Sequence, residues 1–284
     1  MHAADITPNS TTPNSPAIVT DKLTRRFGPE RTGVVAVNQL DLTVQAGQFF
    51  GFLGPNGAGK STTIRMLTGL LAPTAGRIHI LGQDLGIHPV EVKRQIGVVP
   101  EGLALFDRLT GPEYLQFVGR MYGLGRQTTA HRTAELLEFM QLADRPKTLV
   151  SEYSHGMQKK LALAAAVIHA PKLLFLDEPF EGVDAIAAGT LKAMLSRMTA
   201  RGATIFLTSH VLEIVERLCG HVGIIHQGRL VARGSLEELR RGIEAQTPPE
   251  ESQRPAKQKI TLEEIFLEIV GGKRETEQEL SWLA

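Results

Sequence analysis

A glycine-rich segment early in the chain has the residue types needed to bind phosphate. Residues 54–61 read Gly-Pro-Asn-Gly-Ala-Gly-Lys-Ser, follow an apolar run and precede a helical pattern. Glycines let backbone N–H groups turn toward phosphate oxygens, and the start of a helix adds the positive end of its dipole. The pattern predicts a phosphate loop in which Lys60 neutralises the β and γ phosphates of a nucleotide and Ser61 holds Mg²⁺. The alternative is an ordinary glycine turn. The residues predicted to bind nucleotide here are Gly54, Pro55, Asn56, Gly57, Ala58, Gly59, Lys60, Ser61 and Thr62.

Two adjacent carboxylates end a second apolar run. Residues Leu173 to Asp177 are predicted to form a strand, and Glu178 follows it. Successive side chains of a strand point in opposite directions, so one carboxylate can face a metal ion while the other reaches elsewhere. We predict that Asp177 belongs to the Mg²⁺ shell and that Glu178 is the general base that polarises the attacking water. A pair of capping residues at a strand end is the alternative.

A histidine follows a third apolar run. His210 comes directly after the predicted strand Thr204 to Ser209, and α/β folds place ligands at the carboxyl ends of their strands. A neutral imidazole beside phosphate and Glu178 can donate one hydrogen bond and accept another. We therefore predict a catalytic role for His210, against the structural role that most single histidines have.

The elements that must position these residues alternate between short apolar runs and helical stretches. This pattern predicts an α/β fold with a mostly parallel sheet covered by helices. The predicted strands are Gln48 to Leu53, Ile96 to Val99, Leu173 to Asp177, Thr204 to Ser209 and Val222 to His226.

A long segment between two of these strands lacks strand signals. Residues Leu103 to Tyr153 are predicted to be helical throughout, with a capping box at Thr110 and Glu113 and apolar residues at helical spacing from Thr128 to Leu142. The segment is expected to form a helical lobe, at about residues 102–155, inserted into the sheet domain.

The C-terminal part shows two further capping boxes, at Ser235 with Glu238 and at Thr261 with Glu264. A Pro/Gln/Glu-rich linker, Gln246 to Lys257, is predicted between them, and a last amphipathic helix is expected at Leu262 to Val270.

Composition limits the class of protein. The 284 residues carry a net charge of +1, which argues against a nucleic-acid partner. Cys219 is the only cysteine, so an internal disulfide is impossible and a reducing, cytoplasmic setting is compatible. No apolar run approaches the roughly 18 to 20 residues that cross a bilayer. The Ser/Thr/Pro/Asn-rich start lacks the features of a secretory signal and is expected to be a disordered lead-in.

The segment Tyr153 to Lys160, Tyr-Ser-His-Gly-Met-Gln-Lys-Lys, resembles the signature motif of ATP-binding cassette (ABC) proteins, whose usual core is Leu-Ser-Gly-Gly-Gln. Ser154 and Gly156 match, whereas Tyr153, His155 and Met157 depart in a way that resembles the type-2 exporter group. Physically, Ser154 is expected to cap a helix that runs to Ile168, and Gly156 lets the backbone approach a phosphate.

The resemblance covers about residues 18–271, with the family's motifs in their usual order. It implies a phosphate-loop NTPase (RecA-like) fold with a mostly parallel sheet core, an N-terminal antiparallel β region and an inserted all-helical lobe. The implied organisation is a lead-in at 1–16, a nucleotide-binding domain at 17–241, a linker at 242–258 and a helical extension at 259–284.

Further site residues are implied by the family's motifs. Phe27 resembles the aromatic residue that stacks on adenine. Glu101 stands at the position of the family's glutamine, where a carboxylate can still ligate Mg²⁺ but adds a negative charge near the γ-phosphate. Asp184 matches the loop that communicates between two nucleotide sites, and His210 matches a histidine that contacts the γ-phosphate.

The resemblance implies an ATPase that works as one half of a nucleotide-sandwich dimer, with ATP and Mg²⁺, in which Ser154 of one copy covers ATP held by Lys60 of the other. The second copy is the same chain or a paralogous cassette. Separate transmembrane permease subunits are the implied partners, so the chain is expected to be cytoplasmic and peripheral to the membrane. Export is favoured over import. The alternatives are a non-transport ABC ATPase and a phosphate-loop kinase or regulatory module.

Overall fold

A computed structural model describes residues 15–29, 31–244 and 260–271. Its larger sheet has six strands in the order β10-β9-β3-β8-β7-β6. Neighbouring strands run parallel, except that β10 is antiparallel to β9. The strands are β3 (Phe49–Leu53), β6 (Ile96–Val99), β7 (Leu173–Asp177), β8 (Thr204–Ser209), β9 (His221–His226) and β10 (Arg229–Ser235).

Three of the five strands predicted from the sequence have the predicted bounds, namely β6, β7 and β8. The other two, β3 and β9, each differ by one residue at the first position. Every residue of β3, β7 and β8 is buried, which explains why their apolar residues are contiguous rather than alternating with polar ones. The predicted α/β class is confirmed.

A second sheet is antiparallel and contains four strands in the order β2-β1-β4-β5. These are β1 (Pro16–Phe27), β2 (Val34–Gln45), β4 (Ala75–Ile80) and β5 (Gln83–Asp84). The sheet packs on the larger one through a shared apolar cluster that includes Ile18, Phe50, Met66 and Phe206. It thereby holds the start of β2 beside the loop that follows β3, where the Ala36 carbonyl closely approaches Gly59.

The helices cover the larger sheet and build the inserted lobe. They are α1 (Lys60–Leu67), α2 (Pro89–Lys93), α3 (Gly111–Met121), α4 (Arg126–Phe139), α5 (His155–Val167), α6 (Ala185–Ala200), α7 (Leu212–Leu218), α8 (Leu236–Glu244) and α9 (Leu262–Val270). Among the residues that the structure describes, none of these helices is both long and apolar enough to cross a bilayer.

The prediction of continuous helix from Leu103 to Tyr153 is wrong in part. The capping box of Thr110 and Glu113 opens α3 as predicted, but residues 102–109 and 140–149 are not helical. Gly123 ends α3 in a left-handed conformation (φ 81°). The non-helical segments pair with each other instead, because Val150 donates its N–H to the Leu109 carbonyl at 2.8 Å. Ser151 likewise donates its N–H to the Asp107 carbonyl at 3.2 Å, so the two regions exchange hydrogen bonds that a helix would otherwise supply.

Helix α9 has the bounds predicted for it and begins at the predicted capping box of Thr261 and Glu264. Arg240 of α8 joins it to the domain by pairing with Glu216 of α7 and by donating to the Ile260 carbonyl at 2.7 Å. The N–H of Leu262 donates to Glu216 at 3.3 Å.

Two described elements end close to the predicted segment limits. Strand β1 begins at Pro16, one residue before the predicted domain start, and α8 ends at Glu244, three residues beyond the predicted domain end. Pro16 fits a strand because it is the first residue and needs no ladder N–H. The rest of the predicted lead-in, the predicted linker Gln246 to Lys257 and the end of the extension after Gly271 lie outside the described residues.

Candidate active site

The glycine-rich loop connects the buried strand β3 to α1, as the sequence predicts. Gly59 has φ 110°, and a Cβ there would lie 2.4 Å from the Ala36 carbonyl oxygen, so a larger residue does not fit. A Cβ on Gly54 would lie 2.4 Å from the Ile225 carbonyl oxygen. No side chain caps α1, because its N-cap residue is Gly59. The N–H groups of the first turn therefore have no competing side-chain acceptor and are available to bind an anion.

Lys60 is buried at the start of α1 and its ammonium lies over the loop. Nζ donates to the Gly54 carbonyl at 2.7 Å and to the Pro55 carbonyl at 3.3 Å. These bonds hold the positive charge at the centre of the loop, where it can meet phosphate oxygens.

Three oxygen-bearing side chains meet beside Lys60. Ser61 Oγ lies 3.4 Å from Asp177 Oδ1 and 3.4 Å from Glu101 Oε2. The hydroxyl of Thr208 donates to Asp177 Oδ1 at 2.6 Å and fixes that carboxylate. Residues from α1, the end of β7 and the loop after β6 are thus brought together, as the sequence predicts for Ser61, Glu101 and Asp177.

Glu178 and His210 form a pair at the same edge of the sheet. Glu178 Oε2 lies 3.0 Å from His210 Nδ1 and accepts the main-chain N–H of His210 at 3.2 Å. An ionised carboxylate only accepts hydrogen bonds, so the Nδ1 atom carries the proton and Nε2 is left to face the cleft. The Glu178 side chain is 8% exposed, whereas that of His210 is 48% exposed.

The backbone of Glu178 is unusual. Its φ is 48°, a left-handed conformation that residues with a Cβ rarely adopt. The Glu178 N–H donates to both the hydroxyl and the carbonyl of Thr208, each at 3.2 Å, and the Glu178 carbonyl accepts from Lys159. These contacts stabilise a turn that aims the carboxylate away from Asp177.

Most of these groups line one cleft of about 410 Å³, but Asp177 is not part of that lining and reaches it through its contact with Ser61. The residues that line it are Ala36, Asn56, Gly57, Gly59, Lys60, Ser61, Thr62, Glu101, Glu178, Glu181 and His210. The other loop residues predicted to bind nucleotide, Gly54, Pro55 and Ala58, shape the loop without lining the cleft. Ala36 could not be predicted because a single alanine on β2 carries no signal, and Glu181 precedes Asp184 in a loop where only Asp184 matches the family's motif.

Phe27 lies at the end of β1, opposite Val34 on β2, and is 43% exposed. The guanidinium of Arg25 lies 4.6 Å from the centre of its ring. Phe27 does not line the cleft, but its partner strand contributes Ala36 to that lining. An aromatic face near the loop is therefore available, and adenine stacking on Phe27 stays a prediction.

Ser154, Gly156 and Asp184 lie together, away from the cleft lining. Ser154 is the N-cap of α5 and accepts the Met157 N–H at 3.3 Å, and a Cβ on Gly156 would lie 3.2 Å from Asp184 Oδ2. Asp184 caps α6 by accepting the N–H groups of Ala187 and Ile186, and these bonds lower the pKa of Asp184. The structure therefore brings these three residues to one surface, which adjoins the exposed Ile186.

Lys159 was not identified as a site residue from the sequence. It is buried on α5, and its Nζ donates to the main-chain oxygen of Glu178 at 3.1 Å. Burial lowers the pKa of Lys159, whereas the carboxylates of Glu181, Glu101 and two further residues oppose that shift. A lysine next to the signature segment gives no sequence signal for such a long-range contact.

The fold and the site define a phosphate-loop nucleoside triphosphatase. The defining features lie at one edge of a parallel sheet: the glycine-rich loop, the buried lysine, the hydroxyl–carboxylate cluster and the glutamate paired with histidine. Comparison with known proteins makes the class narrower. A family model described as ABC transporter matches residues 37–181.

Individual relatives agree with the family model. The linearmycin resistance ATP-binding protein LnrL of Bacillus subtilis is 39% identical over 203 residues, which cover 72% of this chain and 65% of that protein. The Nod factor export ATP-binding protein I of Cupriavidus metallidurans is 42% identical over 205 residues, which cover 72% of this chain and 68% of that protein. The chain therefore belongs to the ABC transporter family, and it is an ATP-binding, ATP-hydrolysing subunit of that family.

Solved structures agree on the fold. A structure described as the ATP-binding subunit of an ABC transporter matches with a TM-score of 0.78 at 31% identity and covers 89% of this chain and 99% of that one. A dimeric ATP-binding cassette in a post-hydrolysis state, bound to ADP and Pi, matches with a TM-score of 0.71 at 21% identity and covers 77% of this chain and 98% of that one. The predicted phosphate-loop NTPase fold is confirmed, and a kinase is not supported.

Proposed function

We propose that this chain hydrolyses ATP in the cleft described above by positioning and charge neutralisation. Phosphoryl transfer needs little covalent help from the protein, so geometry and electrostatics dominate. Lys60 and the N–H groups of the loop hold the phosphates. Glu178 takes a proton from the attacking water, while His210 is oriented by Glu178 and contacts the γ-phosphate. The observation that carries this proposal is the convergence of these residues on one cleft at the carboxyl edge of the sheet.

The side chains of Ser61, Asp177 and Glu101 fit a magnesium ion. Mg²⁺ prefers oxygen ligands and binds through one or two carboxylates together with substrate phosphates and water. Among the described residues no group of three or more His, Cys, Asp or Glu side chains suits a metal ion. The Ser61 hydroxyl and the two carboxylates would hold the ion together with ATP oxygens. Bound Mg²⁺ would neutralise charge on the phosphates.

The working unit is a dimer in which each ATP lies between two cassettes. Ser154 and Gly156 do not line the cleft of their own chain. A second chain is therefore needed for the Ser154 helix end to reach a nucleotide held by Lys60. Ile186, which lies beside Asp184, is 73% exposed, and an exposed apolar side chain at this surface supports contact between chains there. The second chain is another copy or a paralogous cassette.

The helical lobe carries the surface for transmembrane permease subunits. Phe106, Phe117 and Met121 are large apolar residues that are 53%, 41% and 72% exposed. The rings of Phe106 and Phe117 meet edge to face, with centres 5.2 Å apart, so they form one patch rather than scattered residues. Apolar patches of this kind mark interaction sites. We infer a location on the cytoplasmic face of the membrane, held there by these subunits.

Export is the direction that the relatives support. One is named for linearmycin resistance and another for Nod factor export. The Ser-His-Gly-Met signature and Glu101, which resemble type-2 exporters, point the same way. The cargo is chosen by the permease, because the cleft described here is lined by groups suited to a nucleotide.

The dimer is tested with a hydrolysis-deficient background. Glu178→Gln protein is expected to elute as a dimer with ATP and Mg²⁺ and as a monomer without them, measured by size-exclusion chromatography with light scattering. Adding Ser154→Arg places a bulky cation at the helix end and is expected to prevent the dimer while nucleotide binding continues. Thr128→Arg, at an exposed position on α4, is the matched control and is expected to dimerise. A Ser154→Arg variant that dimerises with ATP would refute the sandwich arrangement.

A further inference from the structure

One buried charge near the site takes no part in the reaction described above. Lys159 is 2% exposed, and its aliphatic stem borders a small apolar cavity of about 10 Å³ between leucines of β7, α5 and α6. Its Nζ lies 3.1 Å from the main-chain oxygen of Glu178 and 3.5 Å from that of Glu101. A buried ammonium is unfavourable unless it is paired or hydrogen-bonded, so these contacts account for its presence there.

The two carbonyls belong to loops that leave neighbouring strands. Strands β6 and β7 are parallel and in register at Val99 and Leu176, and the loops that follow them carry Glu101 and Glu178. The hydrogen-bonded ladder between β6 and β7 ends at Val99 and Leu176, so it does not fix the distance between the two loops that follow. The Lys159 ammonium is a contact that joins the two loops beyond the end of the ladder.

The same lysine connects this site to a second surface. It lies on α5, the helix that begins at Ser154, and it is more than one helical turn from that cap. A displacement of the helix end by a nucleotide on the partner is therefore passed to the loops that carry Glu101 and Glu178. The four carboxylates of Glu101, Asp177, Glu178 and Glu181 interact favourably with this positive charge.

We propose that Lys159 is a positioning residue for ATP hydrolysis, which holds the loops of Glu101 and Glu178 at their working distance and ties them to the helix that begins at Ser154. This inference rests on the proposed roles of Glu101 and Glu178. Lys159 itself is buried and is not part of the cleft lining. Its loss moves the base and the metal ligand relative to each other, and a displacement of about 1 Å can lower a rate by roughly 100-fold.

The test compares Lys159→Met, Lys159→Arg and the unmodified chain. Methionine keeps the apolar stem and removes the charge and the donor, whereas arginine keeps the charge and the donor. We expect Lys159→Met to lower kcat by roughly 100-fold while the affinity for a non-hydrolysable ATP analogue stays within about threefold. Lys159→Arg is expected to recover at least about tenfold of the lost kcat.

A matched control excludes a general effect of removing a lysine. Lys93 also donates from Nζ to a carbonyl, that of Gly69 at 3.2 Å, but it does so at the surface and outside the cleft. Lys93→Met is expected to retain the kcat of the unmodified chain. If Lys159→Met gives little soluble protein, Lys159→Gln replaces it. The glutamine side chain is too short for its donor to reach both loops, so the same loss of kcat is expected.

The outcomes separate this inference from the proposed function. A kcat within threefold of the unmodified chain in Lys159→Met, with Glu178→Gln inactive, overturns the positioning role alone. Equal losses of kcat and of analogue affinity, or a loss that Lys159→Arg does not recover, also overturn it, because they indicate only a structural role. An active Glu178→Gln instead refutes the proposed base and leaves Lys159 with nothing to position.

Discussion

Replacing Glu178 with glutamine removes the proposed base and preserves the geometry around it. Glu178 Oε2 accepts the main-chain N–H of His210 at 3.2 Å, and glutamine has the same length and keeps one oxygen acceptor for that bond. The left-handed turn at this position is held by Thr208 through the main-chain N–H, which the substitution does not change. We therefore expect the folded site to persist in Glu178→Gln.

The size of the expected loss in kcat follows from the chemistry of the glutamine amide. An amide oxygen does not accept a proton from water at neutral pH, and a positioned general base contributes about 10² to 10⁴ in rate, or roughly 3 to 5 kcal/mol of barrier. The Glu178 side chain is 8% exposed, so bulk solvent has little room to supply a replacement base at that position. One negative charge fewer beside a triphosphate also favours binding. The expected result is a kcat at least about 100-fold lower with ATP affinity unchanged or higher.

Phosphate release at saturating ATP and Mg²⁺ measures the rate, and calorimetric titration with a non-hydrolysable analogue measures binding. Glu181→Gln is the matched control, because Glu181 lines the same cleft and the change removes the same charge, whereas the contact with His210 is made by Glu178. We expect Glu181→Gln to change kcat by less than about tenfold. A Glu178→Gln variant with nearly normal turnover, or equal losses in both variants, would refute the assignment of the base.

Three further changes test the loop, the lobe and the C-terminal helix. Gly59→Ala places a Cβ 2.4 Å from the Ala36 carbonyl and is expected to abolish ATP binding in a calorimetric titration. Gly57 also has a positive φ, 78°, but has open space around it, so Gly57→Ala shares the backbone strain without the close contact and should keep measurable binding. Thr110→Ala removes the cap of α3 and should lower the free energy of unfolding by about 1 kcal/mol in urea titrations. An unchanged free energy of unfolding would show that the cap does not stabilise the protein. Arg240→Met removes the contacts to Glu216 and Ile260 and should speed amide hydrogen exchange in α9 more than in α5. Uniform exchange in both helices would contradict that role.

The sequence was informative where a structural requirement is local. Strands β7 and β8 are buried along their whole length, so the apolar residues of each are contiguous, at Leu173 to Leu176 and at Ile205 to Leu207. The capping boxes at Thr110 and Thr261 could be predicted because both partners lie within one helical turn. The phosphate loop could be predicted for the same reason, since its glycines, lysine and serine are contiguous.

Features that depend on distant partners could not be predicted. The segments around Leu109 and Val150 have helix-compatible compositions, but they pair with each other across the chain and leave the helical state. The antiparallel sheet was expected only from family resemblance, because bulges between β1 and β2 interrupt the alternation that marks a strand. Lys159 was missed because its contacts lie 19 and 58 residues away.

The left-handed backbone at Glu178 limits how stable this protein can become without losing turnover. A residue with a Cβ is disfavoured in that conformation by about 1 to 2 kcal/mol, whereas glycine adopts it without steric strain. Glu178→Gly is therefore a stabilising change on backbone grounds and an inactivating one on chemical grounds. A screen that rewards heat resistance alone would therefore favour loss of the carboxylate and, with it, loss of turnover.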